Sequence, residues 1–293
     1  MTNIFAQGGA MYVYFDHNVL IDANHARLEE NWGVWHELQS KLAHLSARAV
    51  LSAWHMVENA KARDDRERRS YSAMITELQP LFLSNNNFVK QNELVRYLFN
   101  AGAWMEDGEE RSPFHDSLAG MWTTYGGPVF IGEQFGEFVE QLAADPQLRA
   151  QIMTPLAEAP ELVRAAREAI QEDPGLIGAE AIVNRKWLFD HLPERDRQGR
   201  FIPLAYRESA ARFAAESIGR VLESCPTILA DDLRYRKALL TNNRIDANDA
   251  ADTQHVILPV VHCDLIVTRD RRLRRFINEA GLRCRAVESL DAV

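Results

Sequence analysis

Five carboxylates near the two ends of the 293-residue chain have types and spacings suited to joint chemistry: Asp16, Glu58, Asp249, Asp252 and Asp270. Asp16 follows the β-prone run Tyr12–Phe15 (YVYF), and Asp270 lies two residues past the β-branched run Asp264–Thr268 (DLIVT). Glu58 falls early in a helical stretch that directly follows a third such run, Ala49–Leu51. Asp249 and Asp252 are spaced i, i+3, which puts both carboxylates on one helix face. Gathering such groups is costly, because two unit charges ~4 Å apart repel by about 4 kcal/mol at an effective dielectric near 20. A cluster of this kind must hold protons or bind a cation. All-oxygen ligands with no cysteine nearby favour magnesium or manganese over zinc. A cation so held activates water and neutralises phosphoryl charge, which is the chemistry of phosphodiester hydrolysis.

The elements that must position these acids alternate strand and helix at both ends of the chain. Strands are predicted at Tyr12–Phe15, Ala49–Leu51, Leu81–Leu83, Asp264–Thr268 and Arg285–Val287. Helices are predicted over Trp32–Leu45 and from an N-cap at Ser52 through Glu58 into the charged segment Lys61–Arg69. A turn is predicted at Asn85-Asn86-Asn87. Further helices are predicted over Asp249–Leu258, capped by Asn248, and over Arg271–Glu279, stopped by Gly281. This order implies an α/β fold with a central parallel sheet, which binds ligands beyond the carboxyl ends of its strands. Residues 91–239 read differently. They are rich in alanine, glutamate and leucine at helical spacing, as in Arg207–Leu222, and describe a large, mostly helical insertion between 1–90 and 240–293.

Three segments together resemble the PIN-domain ribonuclease family. YFDHNVLIDA has the family's opening strand, Asp, and Asn two residues on. LSAWHMVENAK resembles its second motif, a strand end with Ser and a helix bearing Glu. NDAADTQHVILPVVHCDLIVTRDRRL resembles its acidic helix, buried strand ending in Thr, and final Asp. The resemblance covers the two ends and leaves the middle unread. It implies a Rossmann-like PIN fold that cuts RNA, single-stranded by expectation, with Mg2+ or Mn2+. Asp16, Glu58, Asp252 or Asp249, and Asp270 would be the acidic set, and Asn18 and Thr268 supporting polar groups. Some members of the family are toxins held by an antitoxin, so a protein partner of that kind is open, as is a homo-oligomer.

Each acid also has a plain structural role open to it. A strand-end Asp commonly caps the next helix, Glu58 can be a solvated helix residue, and Asp249 can serve the helix dipole. Asp264, at the start of its strand, is expected at the opposite edge as a structural group. His17, His55, His255 and His262 lack spacing that compels a metal site, and His115-Asp116 stands without partner motifs. The net charge of −9 opposes sequence-blind binding of nucleic acid by the whole surface. A local basic stretch, Arg269, Arg271, Arg272, Arg274 and Arg275, is either a solvated helix face or a phosphate contact. Three cysteines form no C-x-x-C pair, and no leader or spanning segment stands out, so a reduced, cytoplasmic, non-membrane setting is expected. Two other readings fit parts of the pattern. One is a non-catalytic PIN-like scaffold that binds RNA or protein. The other is a haloacid-dehalogenase-type phosphatase, weakened because Asn18 stands where that class has its second Asp.

Overall fold

A strand covered by helices on both faces must be apolar throughout, and the segment before Asp16 meets that demand. The computed structural model describes residues 10–108, 112–125, 134–148, 164, 167–168, 183–240 and 255–293. Met11–Phe15 (β1) buries Val13, Tyr14 and Phe15 completely. It is followed by His17–Leu28 (α1), Trp32–His44 (α2) and Ala47–Leu51 (β2). Ala53–Ala60 (α3), Asp65–Leu78 (α4), Leu81–Leu83 (β3) and Asn86–Asn100 (α5) come next. Phe114–His115 (β4), Leu118–Thr123 (α6) and Phe135–Ala144 (α7) precede Arg185–Asp190 (α8) and Leu204–Glu216 (α9). Ile218–Ser224 (α10), Pro226–Leu240 (α11) and Ile257–His262 (α12) lead to Leu265–Val267 (β5). Arg271–Glu279 (α13) and Arg285–Val287 (β6) close the sheet.

The sheet has six strands in the order β4-β3-β2-β1-β5-β6. β1 pairs in parallel with β2 on one side (Val13 opposite Ala49) and with β5 on the other (Tyr14 opposite Ile266). β3 and β6 extend it in parallel, and β4 adds an antiparallel edge (Phe82 opposite His115). The sheet is therefore mixed rather than wholly parallel. Its strand order reverses between β1 and β5, and the crevice outside the carboxyl ends of two such strands is where open α/β sheets take their ligands.

Several sequence expectations change. The helix from Ser52 does not run through Lys61–Arg69: it stops at Ala60, and α4 starts afresh from Asp64, whose carboxylate accepts the Arg66 N–H at 2.8 Å. Asn85 is not a turn but the N-cap of α5, accepting from Asn87 N at 2.8 Å. The helical stretch Arg207–Leu222 is divided between α9 and α10. The predicted helix Asp249–Leu258 falls mostly outside the described residues. The chain forms two compact units, one of Met1–Leu83, Phe114–Ala150 and Leu258–Val293, the other of Ser84–Pro113 and Gln151–Ile257. Residues Phe114–Ala150 thus return to the sheet unit. Among the described residues no helix is long and apolar enough to cross a membrane.

The helical unit has its own core, in which Leu94, Leu98, Leu188, Ala211, Val221 and Ile228 meet. It also buries charge. Lys90 and Asp231, 3% and 1% exposed, are joined at 2.8 Å, and Arg234 donates to the other Asp231 oxygen at 3.0 Å. Burial pushes the Asp231 carboxyl up, but Lys90 and Arg234 outweigh it and hold the group below the ordinary carboxylate range. Such a pair contributes little net stability, yet breaking it strands a charge in the core. Asp231→Asn is expected to destabilise the protein by about 3–5 kcal/mol, and Lys90→Met with Asp231→Leu and Arg234→Leu to recover most of that loss. Urea denaturation of the single and triple variants measures both, and a triple variant as weak as Asp231→Asn would refute the account.

Candidate functional site

Three chain segments reach the crevice edge: the ends of β1, β2 and β5. Each is followed at once by a helix, so Asp16, Ser52 and Asp270 all occupy N-cap positions. They use them differently. Asp270 caps its helix, its Oδ1 accepting from Arg272 N at 2.6 Å and Leu273 N at 3.0 Å. Asp16 makes no side-chain cap bond to α1. Its Oδ2 instead accepts from the hydroxyl of Thr268 at 2.7 Å, across the β1–β5 junction, while its backbone N–H donates to Val267 O at 2.9 Å. Thr268, fully buried, also takes the Asp270 N–H on its Oγ1 at 3.2 Å. One hydroxyl thus fixes Asp16 and Asp270 to the same strand end.

Glu58 stands on α3 beside this edge, its Oε1 paired with Lys61 Nζ at 2.6 Å. Its nearness to Asp16 is read from two buried rings. Burial raises the Tyr71 phenol well above its ordinary range, and Asp16 and then Glu58 add to that shift. Burial, chiefly, lowers the pKa of His55, and the same two carboxylates counter it. Both acids therefore act on His55 and Tyr71, whose rings each pack against that of His17. Each of the three acids engages one carboxylate oxygen on the protein. Asp16 Oδ1, Glu58 Oε2 and Asp270 Oδ2 have no hydrogen-bond partner among the described residues.

Asn18 is exposed on the first turn of α1. Asp249 and Asp252 lie outside the described residues. Asp264 is structural, as its place at the start of β5 predicts: it accepts from Tyr12 N at 2.8 Å and from Arg283 at 2.6 Å. The arginines divide. Arg269 is ion-paired with Asp22 of α1. Arg274 is half-buried and donates to Thr268 O at 2.6 Å and Glu288 at 3.0 Å, so it braces the strand end rather than facing solvent. Arg271, Arg272 and Arg275 are exposed on α13. Among the described residues, no three His, Cys, Asp or Glu side chains gather closely enough to hold a metal by themselves. The three cysteines are buried and free.

His55, Tyr71 and Tyr14 complete the floor of the site, and the sequence did not single out the two tyrosines. Tyr14 OH meets Ser52 Oγ at 3.1 Å, and Tyr71 OH meets His17 Nδ1 at 3.1 Å. His55 is held at both ring nitrogens. Ser52 N–H donates to Nδ1 at 3.1 Å, and Nε2 meets the carbonyl of Phe15, the residue before Asp16, at 2.7 Å. A backbone N–H only donates and a carbonyl only accepts, so the ring is neutral with its proton on Nε2. The Ser52-x-x-His55 spacing, that of a capping box, was the available signal.

Comparison with protein-family models, curated proteins and solved structures finds no match for the chain. The chemistry of the edge therefore rests on its own geometry.

The state of His55 has a measurable consequence. Its folded pKa lies below the unfolded value of about 6.5, so the folded state resists protonation. Its contribution to stability is complete above that unfolded value and is lost as pH falls through the folded pKa. His55→Gln keeps a donor and an acceptor at a capping-box position without a titrating group. Between about pH 6.5 and 5 the wild-type melting temperature is expected to fall more steeply than that of His55→Gln. Parallel melting curves over that window would show that His55 is not held neutral.

Proposed function

We propose that the chain is a magnesium- or manganese-dependent ribonuclease of the PIN type, with Asp16 at its centre. The observation that carries this reading is that Asp16 occupies a helix N-cap position yet leaves the helix uncapped. Its carboxylate is instead turned to Thr268 at the switch point of the sheet. The plain role open to a strand-end Asp is thus set aside at the one edge where this fold class takes ligands.

The donor set suits a hard cation, since Asp16, Glu58 and Asp270 each retain a carboxylate oxygen without a donor among the described residues. Magnesium keeps several of its waters and binds through one or two carboxylates plus substrate phosphate, so it does not require a closed three-ligand cage. A further carboxylate would come from Asp252 or Asp249. The bound cation would lower the pKa of a coordinated water and neutralise charge on the phosphoryl group. The protein's own groups do the rest. Thr268 fixes the Asp16 carboxylate by its hydroxyl bond. His55 holds the carbonyl just before Asp16, so the strand end cannot drift. Asp270, capping α13, presents that helix's exposed Arg271, Arg272 and Arg275 for phosphate contacts along a single strand of RNA. Glu58 would bind the cation or orient the water once released from Lys61.

A second reading, a non-catalytic scaffold that binds RNA, is favoured by the lack of a three-ligand group among the described residues. One assay separates the two. Purified protein should cleave single-stranded RNA with magnesium or manganese and stop when a chelator is added. Asp16→Asn, folded by circular dichroism, should lose several orders of magnitude in rate, each factor of ten being about 1.4 kcal/mol of transition-state stabilisation. Thr268→Val, which removes only the orienting hydroxyl, should lose about 10–100-fold. RNA bound but never cut by the wild type would favour the scaffold, and full cleavage by Asp16→Asn would remove Asp16 from the site.

A further inference from the structure

Helix α5 carries two stripes of different character. Leu94, Val95 and Leu98 enter the core of the helical unit. Glu93, Arg96, Tyr97 and Asn100, spaced i, i+3, i+4, i+7, line a cleft of about 760 Å³ instead. The opposite wall repeats the spacing with Phe213, Glu216, Ser217 and Arg220 from α9 and α10. Helices that pack bring apolar stripes together. These two bring guanidinium, carboxylate, amide and hydroxyl groups, and they touch where Tyr97 OH meets Ser217 Oγ at 2.9 Å. The volume lies within the range of small-molecule sites, which combine an apolar surface with a few polar groups.

We propose that this cleft binds a nucleoside monophosphate, with Arg96 and Arg220 on the phosphate and Phe213 against the base. A guanidinium fork matches the geometry of a phosphate, and arginine is the residue suited to that task. Phe213, 39% exposed, offers an aromatic face on which a base of any kind can stack. Asn100 and Glu216 supply donor and acceptor groups for the base or ribose. The carboxylate of Glu93 is engaged by Thr227. It accepts from Thr227 N at 3.0 Å and Thr227 Oγ1 at 2.7 Å, anchoring the start of α11. Burial raises its pKa to about 7. Every residue of the cleft belongs to the helical unit, and none belongs to the Asp16 site.

The test is calorimetric titration of the full chain with the 5′-monophosphates of adenosine, guanosine, cytidine and uridine, with inorganic phosphate as a control. A chelator is present throughout, so no divalent cation contributes and no step depends on catalysis. At least one nucleotide should bind and raise the melting temperature. Arg220→Gln and Arg96→Gln, both at exposed positions, should each weaken binding by about tenfold or more. Phe213→Ala should weaken the nucleotide without changing inorganic phosphate. No heat and no melting shift with any of the four at millimolar concentration would overturn the proposal. So would arginine variants that bind like the wild type, or inorganic phosphate binding as tightly as the nucleotide.

Discussion

The pairing of β1 with β5 is the constraint on which the candidate site depends. It joins Thr268 to Asp16, 252 positions apart, and nothing local can hold them together. Closing a loop of that length carries a length-dependent entropic cost of about 5 kcal/mol. Val13, Tyr14, Phe15, Leu265, Ile266 and Val267 are all nearly or wholly buried on the two strands. At about 1.5–3 kcal/mol for each fully buried side chain, their burial exceeds the closure cost several-fold at the upper estimate. Both faces of these strands are apolar, so their register rests on how the side chains fit on each face rather than on polarity. The polar groups at this junction inherit their placement from the hydrophobic pairing beneath them.

Polar groups at the junction follow from the same burial. Thr268 and His55 are removed from water, and a buried polar group without partners costs free energy. Each is satisfied in a way that ties segments together. Thr268 uses its hydroxyl on Asp16 and on the Asp270 N–H, and its carbonyl on Arg274. His55 bridges the turn after β2 to the last carbonyl of β1. These bonds connect the ends of all three central strands. Replacing either residue with an apolar one therefore acts on position as well as on stability.

What could be read in the sequence follows from where the physical signal resides. β5 and α13 were readable because their signals are local: a β-branched run, an Asp at the N-cap, and Gly281 just past the helix end with φ of 68°. Asp16, Asp270 and Thr268 were readable as a strand-end pattern. The break between α3 and α4 was not. Lys61 through Asp64 contains no glycine or proline, and the interruption is held by tertiary bonds, with Arg68 donating to Ala62 O at 2.9 Å and to Glu140 at 3.2 Å. β4 was invisible because two residues show no period, and only the neighbouring β3 makes Phe114–His115 a strand. Tyr71 was missed for a related reason. On a highly charged helix it reads as an ordinary apolar-face residue, and only the fold brings it to His17, 54 positions earlier.

Among the helix starts of the sheet unit, Asp16 and Asn31 make no side-chain cap bond, and Asp16 is the more informative because its carboxylate is held by Thr268 instead. Asp64, Ser117 and Asp270 place their side chains on the helix donors that follow. Losing such a cap costs typically ~1 kcal/mol, so a residue able to cap and not doing so is held away by something of at least that size. The Thr268 hydroxyl bond to a carboxylate supplies it, since hydrogen bonds to charged groups contribute about 1.5–3 kcal/mol. The exchange leaves α1 without a side-chain cap, and it leaves Asp16 with an oxygen that no group among the described residues takes. Local rules broken in favour of a long-range contact concentrate at functional sites, where geometry matters more than the stability of one helix end. The same residue thus links the switch point, the cost of its own neglected cap, and a carboxylate oxygen left without a partner among the described residues.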